Sequence, residues 1–277
     1  MTAGQKIHVF YSESHTAAKG IYPPHLHPFY ELIYVKAGKI CVTVNERRVV
    51  VPADGLVLFD RMIIHDIYPE ELPYRRLCIQ IDPEFLHQIC FDSRLTSPWY
   101  GQNTTETGYL SLSGHPSVVA CLERIWTEYQ QRDSLKETAA AYALGLMLVT
   151  LRREIPAAFP PAPNGTDAAM LKAKRYIENH CQEDLAVEAM AGACYLSSGY
   201  FIQAFRQATG VTPKRYQMLC RLSSARSLLM STDLAVSEIA RQTGFHDTNG
   251  FIRYFKKEMR LTPGQYRRKG SSGELEK

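Results

Sequence analysis

Short apolar runs separated by turn residues dominate the first third of the chain. Phe29–Val35 and Ile40–Val44 are rich in β-branched and aromatic residues, and the stretch Lys36–Lys39 separates them. Further runs of the same character are Val49–Val51, Leu56–Phe59 and Leu77–Ile81. Short strands at such spacing are typical of a sandwich or a barrel. The pattern therefore predicts a β-rich segment that ends near residue 82.

The spacing of apolar residues becomes helical after this segment. Ser117–Arg132 and Ser134–Arg153 carry apolar residues three and four positions apart, which predicts two amphipathic helices. Their apolar stripes are Val118, Cys121, Leu122, Ile125 and Tyr129, and then Leu135, Ala139, Tyr142, Leu146 and Val149. These stripes either cover the β-rich segment or pair with a second copy of the chain, and the spacing alone leaves both interpretations open.

A proline-rich stretch separates these helices from the rest of the chain. Residues 156–165 contain four prolines and a glycine. Proline removes a backbone donor and resists helix formation, so we predict an interdomain linker there. The linker divides the chain into an N-terminal domain over 1–155, whose helical segment spans about 115–155, and a helical domain over 166–270. The predicted fold class is α+β and multidomain.

An internal repeat is the clearest pattern of the helical domain. One copy contains Asp184-Leu185-Ala186-Val187, Phe201, Phe205 and Tyr216, and the other contains Asp233-Leu234-Ala235-Val236, Phe251, Phe255 and Tyr266. Each copy fits a helix, a tight turn and a second helix. Gly192 and Gly244 stand where the first helices end, and the predicted N-caps of the second helices are Ser197 or Ser198, and Asp247 or Thr248.

The second helix of each copy has a polar outer face. Its phenylalanines stand at i and i+4 and point inward, so the opposite side is exposed. That side carries Gln203, Arg206 and Gln207 in the first copy, and Thr248, Asn249, Arg253, Lys256 and Lys257 in the second. In the major groove Arg reads guanine and Asn or Gln reads adenine, whereas Lys and Thr suit phosphates. The repeat therefore predicts two DNA-reading units.

Pro213–Ser231 predicts a helix that joins the two units. Its apolar stripe comprises Tyr216, Leu219, Leu222, Ala225, Leu228 and Leu229. A helix of about 17–19 residues is roughly 25–28 Å long. Since successive major grooves lie about 34 Å apart, one chain can reach two adjacent grooves.

Charge separates the two halves of the chain. Residues 166–277 contain 17 Lys and Arg against 11 Asp and Glu, a net of +6, whereas residues 1–165 contain 15 against 17, a net of −2. This distribution favours a polyanionic partner for the second half alone. The seven cysteines are odd in number and lack a Cys-x-x-Cys pair, which argues against a disulfide framework or a thiolate zinc site.

The chain lacks an apolar run of about 18 residues, so no membrane span is expected. Its first residues also lack the apolar core of a signal peptide. A cytoplasmic location is the resulting expectation.

Several motifs of the helical domain resemble AraC/XylS-type transcription regulators. They are Ala240-x-x-x-Gly244-Phe245, Phe255-Lys256-Lys257, Thr262-Pro263-x-x-Tyr266-Arg267, Ser198-x-x-Phe201-x-x-x-Phe205-Arg206 and Arg221-Leu222-x-x-Ala225-Arg226. The resemblance covers about 100 residues and implies seven helices, of which the third and sixth enter the major groove. By position it adds Ser198, Gly199 and Ile202 to the candidate DNA contacts. Because Gly199 and Ile202 stand where relatives often carry larger polar residues, Gln203 and Arg253 are the leading candidates for base contacts.

The β-rich segment resembles the cupin barrel. His25, His27, Glu31 and Gly38 follow the pattern His-x-His-x3-Glu-x6-Gly, and His65 comes later. In cupin enzymes such residues bind a divalent metal, typically iron or manganese. The Pro-x-Gly turn usual before the late histidine is missing, and AraC-type regulators commonly keep the first motif in an effector pocket.

The predicted effector pocket consists of His25, His27, Glu31, Tyr34 and His65. No metal cofactor is predicted, and a metal site of His25, His27, Glu31 and His65 is the alternative. These residues are expected to line or brace a small-molecule site in an N-terminal cupin-like barrel with flanking helices.

Together these patterns predict a transcription regulator that is not an enzyme. It binds double-stranded DNA through two helix-turn-helix units, responds to a small-molecule effector, forms a homodimer and contacts RNA polymerase. An activator is expected, although the sequence leaves activation and repression both open. One alternative is a cupin metalloenzyme fused to a helical domain, which predicts stoichiometric metal and turnover. The other is a ligand-independent regulator, which predicts specific DNA binding without an effector response.

Overall fold

The computed structural model of the chain describes residues 6–15, 27–44, 47–63, 65–99, 108–160 and 165–271. Contacts between Cα atoms divide it into two units, whose main parts are Pro28–Pro163 and Asn164–Lys277. Each unit buries its own set of apolar side chains, so each is described by itself.

An antiparallel sheet forms the first unit. Its strands are β1 (Ile7–Ser14), β2 (Tyr30–Val44), β3 (Arg47–Pro52), β4 (Gly55–Phe59), β5 (His65–Ile81) and β6 (Leu110–Ser111). They lie in the order β1-β5-β2-β4-β6, and β3 also pairs with β2. The long strand β2 is therefore the centre of the sheet, with hydrogen-bonded neighbours along both of its edges.

Alternate residues of β2 enter two separate cores. Leu32 and Tyr34 belong to a core shared with the helices, whereas Ile33 and Val35 belong to a second core formed by strand residues of β2–β5. This division follows from the two-residue period of a strand. A face that packs only on its own sheet requires the sheet to curl around it, as in a barrel. The predicted cupin-like barrel with flanking helices is confirmed at the level of the fold.

The predicted break between two strands at Lys36–Lys39 is wrong. The chain continues as the single strand β2, with shifts of register between Val35 and Ile40. Gly38 has φ of 71°, and a Cβ atom there would lie 2.4 Å from the carbonyl oxygen of Glu71. The glycine thus lets the strand bulge without ending it.

The sequence predicted only the end of β5, Leu77–Ile81, because the rest of the strand lacks the apolar character of a strand. Residues 65–73 contain Pro69 and Pro73 and pair with β2, while the described partner residues of β1 begin opposite Tyr74. One edge of this stretch lacks a paired strand in the described part of the chain, and proline is tolerated at such edges.

Helices cover one face of the sheet. The helical elements are α1 (Pro83–Ile89), a 3₁₀ helix (Ser93–Trp99), α2 (Pro116–Tyr129), α3 (Lys136–Glu154) and a 3₁₀ turn within the predicted linker (Pro156–Ala158). The buried side of α3 comprises Ala140, Ala141, Ala143, Leu144, Met147, Leu148 and Leu151.

Of the two interpretations left open for the α3 stripe of Leu135, Ala139, Tyr142, Leu146 and Val149, covering of the sheet is wrong for its exposed members. Leu135, Tyr142 and Leu146 are 65%, 72% and 58% exposed. Because α3 is apolar on two sides, the sequence alone did not show which side faces the sheet.

The second unit consists of helices. They are α4 (Gly165–Asn179), α5 (Val187–Gly192), α6 (Ser198–Thr209), α7 (Pro213–Ser231), α8 (Val236–Gln242), α9 (Thr248–Met259) and α10 (Pro263–Ser271). In the described part of the chain, no helix is long and apolar enough to cross a membrane.

The core of α7–α10 depends on two rings of α9. Phe251 and Phe255 are fully buried, and they pack with Leu222, Ala225 and Leu229 of α7 among others. The Phe255 ring meets the Tyr266 ring edge-on at 5.5 Å between centroids.

We expect Phe255→Ala to destabilise the second unit by about 3–5 kcal/mol, because the substitution removes a buried ring and leaves a cavity. Urea unfolding with hydrogen exchange of α8–α10 measures the loss. Phe91→Ala is the matched control, since Phe91 is 98% exposed and its removal should leave the same amides protected. Equal protection in the two variants would contradict the inward placement of Phe255.

A second prediction concerns the turn between α8 and α9. Gly244 has φ of 82°, and a Cβ atom there would lie 2.3 Å from the carbonyl oxygen of Gln182. Gly244→Ala should therefore cost about 1–3 kcal/mol of unfolding free energy. Gly199→Ala, at a helical position with no neighbouring atom within 4 Å of the added carbon, should instead stabilise by about 0.5–1 kcal/mol. Shifts of the same sign in urea unfolding would contradict this account.

Candidate nucleic-acid interface and barrel cluster

Buried aromatic rings fix the orientation of α6. Phe201 and Phe205 are fully buried, with 5.5 Å between their centroids. Phe205 also meets Tyr216 of α7 at 5.3 Å. Since these rings stand one turn apart, they hold one side of α6 against the core and leave the other side to solvent.

The turn before α6 is tight. Tyr195 adopts φ of 58°, and the Leu196 amide donates a hydrogen bond to the Ala191 carbonyl at 3.1 Å. Ser197 occupies the predicted N-cap position, although its side chain makes no capping hydrogen bond. The residue with left-handed backbone geometry in this turn is thus Tyr195. The equivalent residue of the second copy is Gly244.

The exposed side of α6, here called its reading face, contains four of the predicted contact residues. Gly199, Ile202, Gln203 and Arg206 are exposed along it, and Ser198 is partly exposed at its start. A Cβ atom on Gly199 would meet no atom within 4 Å. The reading face therefore has open space at Gly199, in its first turn.

The second recognition helix repeats this construction. Asp247 caps α9 by accepting a hydrogen bond from the Gly250 amide at 2.6 Å, as one of the two predicted caps. The rings of Phe251 and Phe255 lie 5.6 Å apart and are fully buried. The opposite side is the reading face of α9, with Asn249, Arg253 and Lys256 exposed and Thr248 partly exposed.

Two exposed residues near α9 are absent from the predicted DNA contacts. His246 lies in the turn before the helix, and Arg260 ends it with φ of 59°. Arg260 sits in a left-handed C-cap position where glycine is usual, so no periodic pattern could have found it.

Buried donors brace each repeat from the following helix. Gln217 and Arg221 of α7 both donate to the carbonyls of Cys181 and Glu183, at 2.6–3.2 Å. Arg267 of α10 donates to the Leu234 carbonyl at 2.6 Å. Burial lowers the pKa of Arg221, whose charge is compensated by these carbonyl oxygens. The loops that precede α5 and α8 are thereby fixed.

A polar cluster centred on Glu31 lies within the barrel. His65 Nε2 is 3.2 Å from Glu31 Oε2, while the Cys78 thiol and the Gln80 amide donate to Glu31 Oε1 at 3.1 and 3.0 Å. The Phe59 ring stacks on His65 at 4.2 Å. Burial raises the pKa of Cys78, so this residue is a thiol donor beside the carboxylate.

The contacts of His65 fix one of its protons. Its Nδ1 lies 3.0 Å from the Ile63 carbonyl, which can only accept, so Nδ1 carries a hydrogen. With that hydrogen on Nδ1, Nε2 is the ring nitrogen that faces Glu31 Oε2.

A divalent cation would fit the same donors. His27, Glu31 and His65 each offer a ligand atom, all within 4.8 Å of one another. Two imidazoles and a carboxylate suit zinc or iron(II), and the Ile63 carbonyl would orient His65 for ligation through Nε2.

Two of the five predicted pocket residues fall outside this cluster or outside the described residues. Tyr34 lies on the opposite face of β2, where its hydroxyl donates to Asp54 Oδ1 at 2.8 Å. His25 lies outside the described residues. The structure brings His27, Glu31 and His65 together.

The sequence interpretation missed Cys78 and Gln80. They alternate along β5, with Gln80 opposite Glu31 and Cys78 opposite Ile33. This two-residue spacing was a usable signal once β5 had been recognised as a partner of β2.

The sequence matches two family models. An AraC-like ligand binding domain matches residues 7–149, and a helix-turn-helix domain matches residues 168–269. The first match holds the strands and the barrel cluster, and the second holds both recognition helices.

Curated relatives are named as regulators. The chain is 26% identical to the uncharacterized HTH-type transcriptional regulator YdeC of Bacillus subtilis, over 91% of this chain and 88% of that protein. It is 30% identical to the HTH-type transcriptional activator RhaS of an Enterobacter species, over 54% of this chain and 55% of RhaS. With the regulatory protein PocR of Salmonella typhimurium it shares 37% identity over 38% of this chain and 35% of PocR. The chain thus spans about a third of PocR and about half of RhaS.

The fold resembles that of ToxT from Vibrio cholerae. The TM-score is 0.62 at 12% identity, covering 95% of this chain and 97% of the ToxT chain. With both family models and the fold in agreement, the chain belongs to the AraC family of transcription regulators, with a ligand-binding domain followed by a helix-turn-helix DNA-binding domain.

Proposed function

We propose that α6 and α9 read two adjacent major grooves on one face of DNA. The carrying observation is the repeated construction of the two helices, each pinned by two buried phenylalanines and exposing polar side chains opposite them. The 19 residues of α7 connect the two units, and a helix of this length is roughly 28 Å long. That length is close to the spacing of about 34 Å between successive grooves.

The contact residues proposed for α6 are Ser198, Gly199, Ile202, Gln203 and Arg206, and those for α9 are Thr248, Asn249, Arg253 and Lys256. Arg253 suits guanine, because a guanidinium can donate two hydrogen bonds to its O6 and N7 atoms. Lys256 lies one helical turn after Ile252. Its ammonium group carries a compact charge, which suits contact with a phosphate.

The proposed effector site is the barrel cluster. Glu31, His65 and Gln80 are polar groups beside the apolar core of the strands, and such groups fix the orientation of a small molecule. A polar effector that replaces these hydrogen bonds would bind one conformation of the regulator more tightly than the other. The difference between the two affinities would set how far the effector shifts the protein toward that conformation. His27 adjoins the cluster, and its proposed role is to line the same site.

The proposed homodimer uses the exposed side of α3. Leu135, Tyr142 and Leu146 form an apolar stripe along one helix, and a Cβ atom on Gly145 would meet no atom within 4 Å. A second copy fits this stripe because two identical apolar stripes complement each other around a two-fold axis. Dimeric readers also suit paired half-sites on DNA. We further propose that the bound dimer is a cytoplasmic activator that contacts RNA polymerase and catalyses no reaction.

Selection from randomised duplexes by the full-length chain tests the DNA proposal. We expect two enriched blocks with centres about one helical turn apart. Arg253→Ala should lose discrimination at one base pair of one block, at a cost of about 1–3 kcal/mol.

Arg241→Ala is the matched control for Arg253→Ala. It removes the same charge from α8, where Arg241 pairs with Glu238. This control should keep both blocks. A uniform loss of affinity over all sequences in Arg253→Ala would identify a phosphate contact and contradict base reading.

Leu146→Glu should convert the dimer into a monomer in sedimentation equilibrium, because it places a charge in the centre of an apolar interface. Phe91→Glu is the control, since it introduces the same charge at a more exposed apolar residue away from α3. A wild-type monomer, or a Leu146→Glu dimer of unchanged affinity, would contradict the α3 interface.

A further inference from the structure

Ile202 is an aliphatic side chain on a face otherwise suited to polar contacts. It is 37% exposed on the flank of the reading face of α6, between the buried Phe205 and the exposed Arg206 around the helix. Gln203 follows it, and Arg206 lies one turn further along the helix. A single exposed aliphatic residue is ordinary on a protein surface, so its position must carry the argument.

The position is favourable because Gly199, on the preceding turn, places no side chain beside Ile202. Gly199 lies three residues earlier on the same face and has open space where a side chain would stand. A base edge can therefore approach the backbone of the first turn and meet Ile202 directly.

The second recognition helix differs at these places. Asn249 stands where α6 has Gly199, and Arg253 stands where α6 has Gln203. The equivalent of Ile202 is Ile252, which is partly buried and packs against the core of α7–α10. The exposed aliphatic contact is thus a feature of the first helix.

We propose that Ile202 reads the 5-methyl group of a thymine in the DNA block bound by α6. Thymine is the base that presents an apolar group in the major groove, and aliphatic side chains recognise it by contact. This inference rests on the proposed binding of α6 in a major groove. It specifies thymine as a base that α6 recognises there.

Replacement of thymine by deoxyuridine tests the contact, because it removes the methyl group and leaves base pairing intact. The probe is the duplex most enriched by the full-length protein from a randomised pool, synthesised with deoxyuridine at one thymine at a time. Wild-type protein should lose about fourfold in affinity at one position, the equivalent of one methyl group left in water.

Ile202→Ala should bind the thymine and deoxyuridine duplexes with equal affinity. Ile202→Gln, which retains a helix-forming side chain of similar length, should also bind the two duplexes with equal affinity. It keeps the test valid if Ile202→Ala fails to fold. Met230→Ala is the matched control, because Met230 is 38% exposed on α7 and its loss should leave the fourfold preference intact.

The outcomes separate this inference from the proposed function. Two enriched blocks without any effect of deoxyuridine, or an effect that persists in both Ile202 variants, would overturn the methyl contact alone. A block for α6 without thymine would do the same. No enriched sequence at all would overturn the proposed function and this inference with it.

Discussion

Two phenylalanines spaced one helical turn apart determine which side chains each recognition helix exposes. Burying a ring contributes about 1.5–3 kcal/mol, so rotating α6 to expose Phe201 and Phe205 would be costly. Once these rings are fixed inward, the helical period of 3.6 residues places Ile202, Gln203 and Arg206 outward. The same constraint acts on α9 through Phe251 and Phe255. The identity of the exposed residues can therefore vary without loss of the fold.

Strand β2 plays the corresponding part in the ligand-binding domain. Its alternate residues serve two chemical environments, with Glu31 in the barrel cluster and Leu32 in the core shared with α2 and α3. Only the thickness of one strand separates the barrel cluster from the residues that support α3. Packed cores of this kind respond to a displaced strand as a unit, because their packing density leaves few voids. The sheet itself therefore offers a short physical route from the cluster to the exposed α3 stripe.

Local patterns found the parts of the fold that obey one strong periodicity. The helices α2, α3, α6, α7 and α9 and the cap Asp247 follow from apolar spacing and helix-end chemistry. The failures have physical causes: Gly38 turns a predicted break into a bulge, and the prolines of β5 sit where one edge is unpaired. The site shows the same division, because Glu31 and His65 belong to a motif, whereas Cys78 and Gln80 reach the cluster only through the pairing of β2 with β5.

In the proposed complex with DNA, the two recognition helices would contribute unequally to binding. The basic residues of α9 are Arg253, Lys256 and Lys257, whereas α6 has Arg206 alone within its 12 residues. Each phosphate contact adds about −0.9 to the slope of log affinity against log salt, so on the proposed contacts α9 would supply more of the salt-dependent attraction. Besides Arg206, the contacts proposed for α6 include an aliphatic group and an amide, which depend on base identity and little on ionic strength. On this proposal, rising salt lowers the affinity mainly through the contacts of α9, whereas the base discrimination proposed for α6 changes little.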